Sequence, residues 1–88
     1  MANSQRLSLT NDWSKLSDGN KTVRLQVLNS PVYIYLTDSS DDPDSSADKD
    51  SFVVDVNKLP LALTTALKVY AKKHLTRDVM CEIIYTAE

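Results

Sequence analysis

The sequence predicts a small antiparallel all-β domain, a β-sandwich or jelly-roll-like fold, on three observations. Val23, Leu25 and Val27 alternate with Thr22, Arg24 and Gln26. Val32, Ile34 and Leu36 alternate with Tyr33 and Tyr35. Between the two runs stands the turn-forming Asn29-Ser30-Pro31. A period of two places every second side chain on one face of a strand, and a turn between two such runs suggests that they pair with each other.

The other elements follow in chain order. Residues 1–5 are polar and expected to be flexible. Arg6-Leu7-Ser8-Leu9-Thr10 alternates and reads as a first short strand; Asn11-Asp12 interrupts it, and Trp13-Ser14-Lys15-Leu16 resumes. Asp18-Gly19-Asn20 holds the only glycine in the chain and reads as a hairpin turn, because glycine accepts the positive φ that such turns need. Residues 38–51 consist of Asp and Ser with one Pro, one Ala and one Lys, too little apolar area to offset the entropy of ordering. They are expected to form a disordered acidic surface loop. Ser51–Val56 and Val79–Tyr85 read as further strands, the last one inside a sheet.

Residues 59–75 are ambiguous. Ala62, Leu63, Ala66, Leu67 and Ala71 favour helix, and Leu63, Leu67, Tyr70 and His74 fall on one helical face. A strand also fits the second half, where Leu67, Val69 and Ala71 alternate with Lys68, Tyr70 and Lys72, but the residues by themselves put helix slightly ahead.

Eighty-eight residues make one domain, 1–88, with a thin core. With Cys81 as the only cysteine no internal disulfide can form, and one Cys with one His cannot build a zinc site. Assembly is the remaining way for so small a domain to gain stability. The sequence shows neither a signal peptide nor an apolar run long enough to cross a bilayer, so a soluble chain made in a reducing cytoplasm is expected. The net charge of −2 conceals a separation: residues 38–50 carry six Asp against one Lys, while Lys68, Lys72, Lys73 and Arg77 form a basic strip around His74. Two solvated surfaces are the plain explanation; complementary contact between copies is the other.

Chemistry finds little support. His74 is the only imidazole, no Ser or Cys lies in a glycine-flanked elbow, and one glycine cannot make a phosphate-binding loop. Cys81 shares an apolar face with Val79 and Ile83 and is expected to be a buried structural thiol. Asp42, Asp44, Ser46, Asp48 and Asp50 recur like the start of an EF-hand loop. However, Ala47 replaces the required glycine, Val53 replaces the bidentate Glu, and Pro43 intrudes. No metal, cofactor, nucleic acid or membrane is therefore expected as a ligand.

Tyr33, Tyr35, Tyr70, Met80 and Ile84 occupy positions that alternate away from the expected core. Tyrosine suits an exposed pleat, and tyrosine and methionine are also enriched where proteins meet. These five are the candidate interface, with Lys68, Lys72, Lys73 and Arg77 setting register. Trp13 fits either the core or an interface anchor, and the core is favoured, since a small domain needs large apolar side chains.

One resemblance spans nearly the whole chain. Its parts are Leu9-Thr10-Asn11-Asp12-Trp13, the Asp18-Gly19 turn, Val23–Asn29, Pro31–Ser39 leading into the Asp/Ser/Pro loop, and Leu67–Lys72 before a last apolar strand. The order resembles the small all-β virion structural proteins of tailed bacteriophages that coat or decorate the head. Glycine is frequent in that pattern before the Lys-Val-Tyr-Ala strand, where this chain has Asn57–Pro60. The resemblance implies a non-enzymatic protein on the outer capsid surface that binds the major capsid protein, often as a trimer or dimer, after assembly in the host cytoplasm. An adaptor anchoring a head fibre or tail component, and a free binding or inhibitor module, are the alternative roles. The resemblance also turns residues 59–75 towards a loop or short turn at 59–65 and a strand at 66–72.

Overall fold

A computed structural model describes residues 4–40, 43, 51–56, 61–74 and 81–88. Its strands are β1 (Gln5–Ser8), β2 (Ser14–Ser17), β3 (Lys21–Val27), β4 (Val32–Thr37), β5 (Phe52–Val54), β6 (Leu61–Thr65), β7 (Lys68–Lys73) and β8 (Glu82–Ala87). They form two four-stranded antiparallel sheets, ordered β1-β8-β3-β6 and β2-β7-β4-β5. We call these sheet A and sheet B.

The pairings share one rule: β1 with β8, β2 with β7, β3 with β6 and β4 with β5, all antiparallel. The chain is thus one long hairpin with β4 and β5 at its tip. Rolling that hairpin up adds the closing pairs β3 with β8 and β4 with β7. This is the jelly-roll arrangement, which manages exposed strand edges by wrapping two sheets around one core.

The alternation read in the sequence decides what is buried. Val23, Leu25 and Val27 of β3 and Val32 and Ile34 of β4 meet Val69, Ala71 and Ile83, all at most 2% exposed. Leu9, Leu16 and Cys81 complete the buried set, while Leu36 and Leu63 pack against its margin. Burying each large aliphatic side chain contributes about 1.5–3 kcal/mol. The Cys81 thiol is enclosed, with Sγ 3.7 and 3.8 Å from the Ser30 and Pro31 carbonyls, as a structural thiol should be.

Several expectations change. β3 and β4 do not pair with each other, because Asn29-Ser30-Pro31 carries the chain from sheet A to sheet B. Both strands present an apolar face, and two such faces bury more area stacked across a core than side by side. Asp18-Gly19-Asn20 likewise crosses from β2 in sheet B to β3 in sheet A and is no hairpin. Residues 61–65, expected as loop, form strand β6 against β3, and the locally favoured helix is absent from the described part of 59–75. Tertiary pairing overrides helix propensity worth only tenths of a kcal/mol per residue. The strand expected at 66–72 is observed at 68–73, and the last strand lies inside sheet A between β1 and β3. Most of the expected acidic loop lies outside the described residues, as do residues 1–3 of the expected flexible N-terminus.

Candidate functional site

The outer faces of the two sheets differ in chemistry. On sheet A the outward positions are mostly polar, with apolar Ile84 and Ala62 among them. Arg6 donates to Glu82 through two hydrogen bonds, Nε to Oε2 at 2.9 Å and Nη2 to Oε1 at 3.1 Å. Thr22 and Thr64 share a hydroxyl contact at 2.8 Å, and Arg24 lies 3.7 Å from Glu88. The Glu82 carboxyl is held below its ordinary range, chiefly by the hydrogen bond from Arg6.

On sheet B the outward positions are aromatic and cationic. β7 contributes Lys68, Tyr70 and Lys72, with His74 just beyond its end; β4 contributes Tyr33 and Tyr35. Register places Tyr33 opposite Lys72 and Tyr35 opposite Tyr70. Trp13, immediately before β2, extends the row. Its ring centroid lies 5.7 Å from that of Tyr35, and Lys72 Nζ lies 5.0 Å from the Trp13 ring and 5.6 Å from the Tyr33 ring. Lys72 Nζ therefore lies between two aromatic rings, close enough to each for a cation–π contact. The imidazole of His74 tilts against Tyr33 at 4.7 Å, and its buried Nδ1 has no hydrogen-bond partner among the described residues.

Trp13 is thus not a core residue. Ser14 pairs with Ala71 and Lys15 with Tyr70, which turns Trp13 to the same side as Lys15 and Tyr70. The indole bridges β2 and β4 over the strand between them. This explains why Tyr70 and Lys72, expected as exposed contacts, are only 3% and 6% exposed. They form the floor of the face, and Trp13, Tyr33 and Tyr35 form its surface.

The other interface candidates separate. Ile84 points outward on sheet A, on the opposite side of the molecule, opposite Arg6 and Gln26. Lys73 alternates with Val69 and Ala71 towards the inner side at the end of β7. Lys68 reaches the margin of the aromatic face and donates from Nζ to the Ser39 carbonyl at 2.7 Å. Met80 and Arg77 lie outside the described residues. Sequence reasoning ranked Trp13 as core ahead of interface and did not include His74 among the interface residues. For His74 a signal was present, since Lys68, Tyr70, Lys72 and His74 share one parity once 68–73 is read as strand.

No group of three or more His, Cys, Asp or Glu side chains gathers at metal-binding distance among the described residues. The chemistry the sheet B face offers is adhesion: flat rings for apolar and stacking contact, with cations among them. Comparison with known proteins finds no matching family model, no matching curated sequence and no matching solved structure.

Proposed function

We propose that the chain is a non-enzymatic structural protein of a tailed-bacteriophage virion, which decorates the outer capsid surface and stabilises the lattice by binding the major capsid protein. The observation that carries this reading is the Trp13–Tyr33–Tyr35 surface, a band of rings on one sheet face laid over the buried Tyr70 and Lys72. Clustered aromatic rings are what the centre of a protein-binding surface is enriched in. Jelly rolls recur in capsid proteins, an analogy of fold that adds weight without deciding function.

In this mechanism the aromatic face docks on capsid subunits and buries its rings, while Lys68 at the margin steers it towards acidic ground. Many copies acting across subunit joints convert weak individual contacts into a firm lattice. Selective binding to the assembled lattice stabilises it by linkage. Comparing heat-induced rupture of particles with and without the protein tests the reading. A higher rupture temperature is expected with it, and equal temperatures overturn cementing. Counting copies per particle distinguishes decoration from an adaptor for a head fibre, which needs far fewer.

A further inference from the structure

The two lateral sides of the sandwich are finished differently. On the β1/β2 side the chain itself closes the gap: the Leu9 N–H donates to the Cys81 carbonyl at 2.8 Å, and the Lys73 N–H donates to the Thr10 carbonyl at 3.2 Å. The edges there also carry guards against strand addition, namely Arg6 in β1, Lys15 in β2 and a register shift between Lys15 and Ser17. On the opposite side, β5 and β6 are Phe-Val-Val and Leu-Ala-Leu-Thr-Thr, without a charge, a proline or a bulge. Among the described residues β6 pairs only with β3, and β5 only with β4. Between them runs a groove of about 340 Å³ lined by Leu25, Leu36, Phe52, Val54, Leu61 and Leu63. Phe52 is 63% and Leu61 45% exposed, the reverse of what large apolar side chains facing a core normally show.

We propose that this side is a homodimer interface, in which β6 of one copy pairs antiparallel with β6 of a second copy about a two-fold axis at Leu63. A row of outward backbone N–H and C=O groups is completed by another strand, and a two-fold axis requires that strand to match itself. β6 does so. With Leu63 opposite Leu63, Ala62 faces Thr64 and Leu61 faces Thr65, and no charge meets a charge. That neutrality matters for a chain of net charge −2, whose copies repel overall. The pairing of Val23 with Leu63 and Leu25 with Leu61 turns both leucines inward. The apolar grooves of the two copies then join into one strip, and sheet A continues as eight strands. A seam along one side of so small a molecule is a small interface, so the pair forms in a concentration-dependent manner. It leaves the Trp13 face free and does not rest on the capsid reading.

Sedimentation of the purified full-length chain tests the proposal. A dimer that grows with concentration is expected, and Phe52→Lys or Leu61→Lys should return it to monomer with an unchanged β spectrum, since both positions are open to solvent in the single chain. Register is read by cysteine pairing: a mixture of Ala62→Cys and Thr64→Cys chains should cross-link far faster than either variant with itself. A chain that stays monomeric at millimolar concentration overturns the proposal. Cross-linking that is no faster in the mixture overturns it as well. So does protection of β6 amides that appears only on added capsid particles, which would assign the edge to a strand supplied by the partner.

Discussion

Gly19 sits at φ +112°, and a Cβ placed there would lie 2.7 Å from the Ala66 carbonyl oxygen. The next residue, Asn20, also has positive φ and donates its N–H to that same carbonyl at 3.3 Å. Two sheet-crossing turns are therefore pressed together, and the site admits no side chain. Gly19→Ala should cost about 1–3 kcal/mol, from backbone strain together with the displaced contact, read as a lower urea midpoint. His74 illustrates the opposite case. Its ring packs on Tyr33 while the buried Nδ1 has no partner among the described residues, and an unpaired buried polar atom costs about 1–3 kcal/mol. His74→Phe retains the ring contact and removes the orphan atom, so the melting temperature should rise by a few degrees. The sequence displayed Gly19 as a turn residue, but it could not show what the turn packs against.

Strand by strand, the alternation marked which side chains face inward, and β3, β4 and β7 follow it closely. Leu61–Thr65 also obeys it, with Leu61 and Leu63 inward, although the resemblance pointed to a loop there; a good β3 partner outweighs weak local preference. For Trp13 the argument from size misled where the alternation did not: Trp13 shares the parity of outward Lys15, and the pairing of β2 with β7 more than fifty residues later fixes that side. The aromatic face was legible in part: Tyr33, Tyr35, Tyr70 and Lys72 share it, whereas Ile84 lies on the other sheet. If the Trp13 ring spans that face as a contact anchor, Trp13→Ala should weaken particle binding by ~30-fold or more, measured by co-sedimentation. Ile84→Ala, on the far sheet, should leave binding unchanged. The β1–β8 pair carries the Arg6–Glu82 ion pair, and the depressed Glu82 carboxyl gives it a pH signature. A carboxyl lowered on folding contributes stability above its unfolded value and loses it as pH falls through the folded one. Arg6→Gln should therefore destabilise at neutral pH and flatten acid unfolding below the ordinary carboxylate range. Thermal melts at a series of pH values check this.

For the molecule as a whole, the consequence of the rolled hairpin is that its first strand pairs with its last. Contacts so distant in sequence close large loops before they bring any gain, so folding should take milliseconds to seconds, slow for a chain of this length. Stopped-flow refolding checks that rate. β8 lies between β1 and β3, so deleting residues 82–88 removes the centre of sheet A and should leave a chain without a cooperative melt. By itself, the sequence determined that this is an all-β domain, where most of its strands run and which of their faces are apolar, because a period of two is a local property of the chain. The tertiary structure decided which strands pair, which turns cross between sheets and which outward rings meet. Those outcomes depend on burying both sheets against one another, and no short window of residues carries that free energy.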